Sequence, residues 1–331
     1  MSHLDPHSGG KIEPINPRTQ ALCLSGGGYR GLYTARMLEH LQTLTTQPLG
    51  THFRFIAGTS IGAIIGAALA AGVKPQRIRE EIEAIGPGLF KRRRFHRTRH
   101  LFFSAPYKQD LLSKTLHKLF NEIGKHKLLG TSIADTELPL IVTATSASAH
   151  EPRIYGGNGL PLASYSDISL HDAILASAAA PTYFPAKIAG GEKLLDGGLI
   201  ANAPDVIALG LLQRRLGRKL TDCHILSIGT CAPRFQTETP RPDRSGKAGW
   251  IVRRRNIVEV TLDSQEKLTV QIMNQLLGSQ FLRIDSEAVG DDAKHISSLD
   301  VATPQTTEAL KRLADHRFTT LSTDPLLLAY L

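Results

Sequence analysis

Hydrophobic and polar positions along the chain follow two alternating rhythms. Gln20–Leu24 is a short apolar run that reads as a strand. After the glycine-rich stretch Ser25–Gly31 the period lengthens, and Leu38, Leu41 and Leu44 share one face of a helix running to about Thr45. His52–Ala57 predicts a second strand, which leads into Gly58-Thr59-Ser60-Ile61-Gly62 and a small-residue helix to about Ala71. Pro75 opens a further helix and Gly86 is expected to close it. Leu112, Leu116 and Phe120 place an amphipathic helix over Gln109–Glu122. Later strands are expected at Leu138–Thr145, Lys193–Leu195 and His224–Ile228. Helices are expected at His171–Ser177 and Asp205–Leu216, with a long helical stretch from Trp250 to Leu277. Strands alternating with helices predict an α/β fold: a mainly parallel sheet between two helical layers.

One segment competes with that picture. Phe55–Val73 carries no charge and approaches the length of a membrane span. It is rich in Gly and Ala, contains Thr59 and Ser60, and has few large aliphatic residues, so it reads as a core helix. Met1–Arg18 is polar and proline-dotted, without the apolar run of a signal peptide. A content of 41% hydrophobic and 21% charged residues excludes collagen-like, coiled-coil and broadly disordered classes. Thirty-nine Lys and Arg against thirty Asp and Glu give a net charge of +9, which favours phosphates or an anionic surface. Cys23, Cys223 and Cys231 form no CxxC or Cys/His ligand spacing, which fits a reducing cytoplasm better than a zinc site or disulfide framework.

The first candidate for chemistry is Gly26-Gly27-Gly28-Tyr29-Arg30-Gly31, which satisfies G-x-G-x-x-G between a strand and a helix. A dinucleotide site would need an acid at the end of the next strand, and that strand runs into Gly58 instead. A P-loop would need Lys where Leu32 stands. A tight turn and an oxyanion-binding loop of converging N–H groups both remain open. The second candidate, Gly58-Thr59-Ser60-Ile61-Gly62, is G-x-S-x-G between a strand and a helix, the setting of a nucleophile elbow. Ser60 then needs a base. His224, His295 and His316 lie late enough in the chain for a conventional triad, His224 best among them because it begins a strand. The alternative is Asp196, followed by Gly197 and Gly198 at the end of a short strand. Asn202 and Pro204 follow it at fixed offsets, and the run Ala176–Pro185 precedes it.

Together these blocks resemble the patatin-like phospholipases, in family order and over roughly residues 20–230. The resemblance implies a three-layer α/β/α fold and a Ser-Asp dyad with Ser60 as nucleophile and Asp196 as base. It implies an oxyanion hole from Gly26, Gly27 and Gly28, with Arg30 and Gly31, supported by Gly58, Gly62, Gly197 and Gly198. It requires no metal and no cofactor. A flexible segment 1–18 and one domain over 19–331 are expected, with a basic insertion near 88–104 and a helical C-terminal part. The family often has an acid where this chain has Ser25, and the last hundred residues match no known motif.

Two basic clusters lie outside these blocks. Lys91, Arg92, Arg93, Arg94, Arg97 and Arg99 mix with Phe90, Phe95, Phe102 and Phe103, and Arg253, Arg254 and Arg255 follow Trp250. A solvated face, attraction to lipid headgroups and a pocket for a phosphate-bearing nucleotide are the competing readings. No module for DNA or RNA polymers is present. Compact chains of this kind resemble, among others, the phospholipase effectors of bacterial cyclic-oligonucleotide anti-phage systems. That resemblance implies a cytoplasmic enzyme acting on phospholipid at the inner membrane face. A cyclic di- or trinucleotide would activate it, and it would form a ligand-dependent homo-oligomer. A constitutive esterase or lipase, a dinucleotide-binding protein and a catalytically idle membrane module are the alternatives.

Overall fold

Side-chain alternation along the central strands decides the layering. In the computed structural model, residues 15–91, 105–160, 167–233 and 257–331 are described. The strands are β1 (Gln20–Leu24), β2 (Phe55–Gly58), β3 (Leu140–Ser146), β4 (Glu151–Gly156), β5 (Lys187–Ala189), β6 (Glu192–Asp196), β7 (His224–Ile228) and β8 (Phe281–Ile284). Leu22 and Leu24 of β1, Ile56 of β2 and Leu226 and Ile228 of β7 enter one apolar core. Their neighbours Ala21, Cys23, Phe55, Ala57 and Ile225 enter another. Burial on both faces is what a central parallel sheet requires, and it explains why these strands read as continuous apolar runs.

The first core is covered by α1 (Gly31–Gln42), α2 (Ile61–Ala71), α3 (Pro75–Leu89), α4 (Asp110–Glu122) and α5 (Leu170–Ser177). After the single turn α6 (Gly198–Ala201), α7 (Asp205–Arg214) packs on the second core. The long helix α8 (Ile257–Leu277) joins both: Val258 and Leu262 belong to the first core, Met273 and Leu277 to the second. Then come α9 (Gly290–His295), α10 (Pro304–Leu321) and α11 (Pro325–Ala329).

The strand order is β5-β6-β3-β2-β1-β7-β8, with β4 also paired to β3. The pairs β3–β2, β2–β1, β1–β7 and β7–β8 are parallel, and the pairs made by β4, β5 and β6 are antiparallel. Leu24 registers with Gly58 on one side and Ile228 on the other, so three carboxyl ends share one rim. Open α/β sheets bind ligands at such a rim.

β3 acts as a ruler. β4 occupies one of its edges from Ile141 to Ser146. On the other edge β2 runs in parallel, with Gly58 opposite Val142, and β6 comes the opposite way, with Asp196 opposite Ala144. The ends of β2 and β6 therefore meet head to head, with Thr143 between them.

Several sequence expectations need correction. The helix from Pro75 does not close at Gly86 but runs to Leu89 with Pro87 inside it. Gly86 instead makes room for a ring, since a Cβ there would lie 2.0 Å from Cε2 of Tyr29. Strands β4, β5 and β8 have no counterpart in the sequence pattern, because short edge strands carry weak periodic signals, whereas α10 falls in the helical C-terminal part expected from the sequence. Phe55–Val73 divides into strand, turn and an eleven-residue buried helix. No helix among the described residues is long and apolar enough to cross a membrane. Of the N-terminal segment, Pro17–Thr19 forms a 3-10 turn and Ile15 N–H donates to Ala329 O at 2.7 Å. The clusters Arg92–Arg94 and Arg253–Arg255, with Trp250, lie outside the described residues.

Candidate active site

The turn after β2 places Ser60 at φ 55°, ψ −122°, outside the regions that L-residues favour. Its neighbours permit the sharp reversal. A Cβ at Gly58 would lie 2.4 Å from Gly62 O, and one at Gly62 would lie 2.2 Å from Leu24 O. Only glycines fit this crossing of strand and helix. The Ser60 N–H donates to Ser177 Oγ at 2.8 Å, which holds the turn from the end of α5. Thr59 Oγ1 meets Thr143 Oγ1 at 2.8 Å and donates to Ala201 O at 2.6 Å, pinning the same turn to β3 and α6.

Asp196 arrives from the other side. Ser60 Oγ donates to Asp196 Oδ2 at 2.7 Å, and Gly198 N–H donates to Asp196 Oδ1 at 2.7 Å. The carboxyl group is 3% exposed. Burial pushes its pKa up to about 7, against the opposing pull of the Gly198 N–H and the Ser60 hydroxyl. A carboxylate held this way has a proton affinity suited to accepting a hydroxyl proton near neutral pH. Gly197 packs against Thr143, where a Cβ would lie 2.1 Å from Oγ1.

The glycine loop closes the third side. Gly26 N–H donates to Asn202 O at 3.0 Å and Tyr29 N–H donates to Leu299 O at 2.9 Å. The N–H groups of Gly27 and Gly28 donate to no group among the described residues. Both residues line a cleft with Ser60 and Asp196. That cleft is open to solvent, and its walls are apolar: Ile64, Ile82, Leu89, Phe90 and Phe184 among others. Arg30 is buried and turned to Asp263 of α8 at 3.4 Å, and it does not line the cleft. Gly31 packs on Ile61, bringing the starts of α1 and α2 together.

The structure thus brings Ser60, Asp196, Gly27 and Gly28 to one place and leaves the three histidines elsewhere. His224 is half-buried at the amino end of β7, opposite the rim, edge-on to Tyr330. His295 ends α9 and His316 lies on α10, both exposed. The sequence offered no signal for Leu262 and Leu299, which line the cleft from the C-terminal part, and only the alanine-rich run hinted at Ser177. Cys23, Cys223 and Cys231 are buried free thiols, and no group of three or more metal-ligating side chains is assembled among the described residues.

The profile of the family described as patatin-like phospholipase matches residues 22–209, which contain Ser60, Asp196, the glycine loop, Ser177 and Asn202 but not Leu262, Asp263 or Leu299. The chain belongs to the patatin-like phospholipase family. A cGAMP-activated phospholipase of Pseudomonas aeruginosa is 31% identical over 94% of this chain and 91% of its own length. A cGAMP-activated phospholipase of Vibrio cholerae is 25% identical over 93% and 94%, and a cUMP-AMP-activated phospholipase of Escherichia coli is 28% identical over 82% and 81%. The hydrolase reading of the sequence stands, as does the mainly parallel α/β fold. The similarity to the Pseudomonas aeruginosa relative covers 94% of this chain, so it reaches past residue 209 into the C-terminal part.

Proposed function

We propose that this patatin-like phospholipase cleaves acyl esters of membrane phospholipids through a Ser60–Asp196 dyad, and that a cyclic oligonucleotide switches it on in anti-phage defence. The observation that carries the chemistry is the 2.7 Å bond from Ser60 Oγ to a buried carboxylate lining an apolar cleft. As Ser60 attacks the ester carbonyl, Asp196 Oδ2 takes the hydroxyl proton directly, with no histidine relay. The N–H groups of Gly27 and Gly28 receive the oxyanion, supported by the positive end of α1. Collapse of the tetrahedral intermediate breaks the ester bond, and the departing alkoxide takes the proton from Asp196. Water, deprotonated by the same carboxylate, then releases the fatty acid. The apolar walls accommodate the acyl chain and keep Asp196 desolvated.

The activation half of the reading is supported by the relatives that are named cGAMP- and cUMP-AMP-activated phospholipases. The basic clusters Arg92–Arg94 and Arg253–Arg255 supply the guanidinium forks that phosphates bind. In this reading the enzyme works at the inner face of the cell membrane and assembles with itself when the nucleotide binds. The test uses purified protein, phosphatidylglycerol–phosphatidylethanolamine vesicles and a panel of cyclic di- and trinucleotides. One nucleotide should raise fatty-acid release at least about a hundredfold, as expected for moving a mostly inactive population to a mostly active one. Light scattering should report a larger assembly in its presence. Full activity without nucleotide, and no binding across the panel by calorimetry, would make the enzyme a constitutive lipase.

A further inference from the structure

Gly26 is the fixed point of the glycine loop, and what fixes it comes from the C-terminal part of the chain. Its N–H donates to Asn202 O at 3.0 Å, and its carbonyl accepts from Asn202 Nδ2 at 3.4 Å and Thr230 Oγ1 at 3.3 Å. Asn202 is itself held twice by α8: its N–H donates to Gln265 Oε1 at 2.6 Å and its Nδ2 to Glu266 Oε2 at 2.5 Å. The other carboxylate oxygen of Glu266 accepts from Arg283 of β8. Arg283 also donates to Ser25 Oγ at 2.9 Å, Ser227 Oγ at 2.8 Å and Asp285 Oδ2 at 2.8 Å. One part-buried guanidinium therefore reaches the residue before the loop directly, and the loop's first glycine through Glu266 and Asn202.

The chemistry of these groups sets an orientation. Both oxygens of Glu266 accept, so the amide of Asn202 must turn its NH₂ toward Glu266 and Gly26 O. Flipping that amide would set oxygen against oxygen on both sides. A buried ion pair is a poor source of stability, because desolvation offsets most of the attraction, whereas it specifies geometry well. We propose that Arg283 and Glu266 are positioning residues of the hydrolytic reaction: through Ser25 and Asn202 they hold the glycine loop where the N–H groups of Gly27 and Gly28 meet the oxyanion. The proposal rests on the Ser60–Asp196 reading, and it assigns a role to two residues beyond the segment matched by the family profile.

The test compares Glu266→Gln, Arg283→Lys and the apolar double variant Glu266→Leu/Arg283→Met, which removes both partners of the Glu266–Arg283 pair if a single change fails to fold. On a soluble short-chain ester, kcat should fall about 10–100-fold, the scale for a misplaced reacting group, while KM stays within about threefold. Affinity for a trifluoromethyl ketone, which mimics the tetrahedral oxyanion, should fall in parallel with kcat. The pH dependence governed by Asp196 should not move. A purely structural pair would lower the melting temperature but leave kcat and ketone affinity of the folded fraction within twofold; that result overturns the proposal. Ser60→Ala and Asp196→Asn run beside these variants. If either keeps its activity, the dyad itself is wrong. If both are inactive and the Glu266 and Arg283 variants keep kcat, only the positioning role fails.

Discussion

Ser60 and Ser113 each belong to a hydrogen-bonded array that ends on a carboxylate, and the array that looks more like a hydrolase triad lies away from the cleft. Ser113 Oγ lies 2.8 Å from His171 Nε2, and His171 Nδ1 lies 3.1 Å from Asp172 Oδ1. Polarity and order match a serine–histidine–aspartate relay. Ser113, however, is an ordinary helical residue of α4, and neither it nor His171 lines the cleft. Asp172 is half-exposed and shared with Lys187 Nζ at 2.7 Å. Ser60 has no histidine, yet it has the strained turn, a buried carboxylate, two uncommitted N–H donors and an apolar cleft. The comparison teaches that a reactive serine is made by its surroundings. A carboxylate in water is too weak a base, and desolvation plus direct contact remove the need for a relay.

The sharpest way to break this comparison is to remove each serine in turn. Ser60→Ala and Asp196→Asn should each lower ester hydrolysis by at least about a thousandfold, since nucleophile and base act as a unit. Circular dichroism should show both variants folded. An equal loss in Ser113→Ala would move the active site to α4.

Next in size is the effect of the loop. Gly28 has φ +58°, and a Cβ there would lie 2.4 Å from Leu299 O. Gly28→Ala should displace one donor and cost about a hundredfold in kcat, with smaller change in KM. Unchanged kcat would take Gly28 out of the oxyanion site.

The pH profile sharpens the contrast between the two carboxylates. If Asp196 is the base, kcat/KM should rise tenfold per pH unit up to a bend near its pKa of about 7 and then level. A bend near 4 would mean that the base is a solvated acid. Stability should run the other way. The folded pKa lies above the ordinary value of 3.8, so the native chain holds more protons than the unfolded chain between the two values. Stability therefore falls as pH rises through that window. Asp196→Asn should raise the melting temperature by about 2–5 °C at pH 8 and hardly at all near pH 4, measured by calorimetry.

The smallest expected effect belongs to the other serine. Ser113→Ala and His171→Ala should leave kcat within about twofold and cost about 1 kcal/mol of stability for a lost part-buried hydrogen bond. A tenfold loss of kcat in either would show that the α4–α5 array contributes to the reaction.

What the sequence determined by itself was the set of backbone irregularities. Glycines at 26–28, 58, 62, 197 and 198 are required by local crowding and turns, so G-x-S-x-G and Asp-Gly-Gly could be read in order along the chain. The central strands were legible because burial on both faces leaves them continuously apolar. Asp196 stood among the bases that the sequence offered Ser60, and only the family resemblance chose it over the histidines, because residues 136 positions apart share no local pattern. Tertiary structure alone decided how they meet. Strand β3 receives β2 and β6 on one edge from opposite directions, and that register, set by long-range hydrogen bonds, brings the two ends together. It also decided that Gly27 and Gly28 keep their donors while Gly26 gives its own to Asn202. The last hundred residues were silent for the same reason. Glu266, Arg283 and Leu299 act through contacts with distant elements, and no periodicity or motif encodes a contact that only the assembled sheet and its helices create.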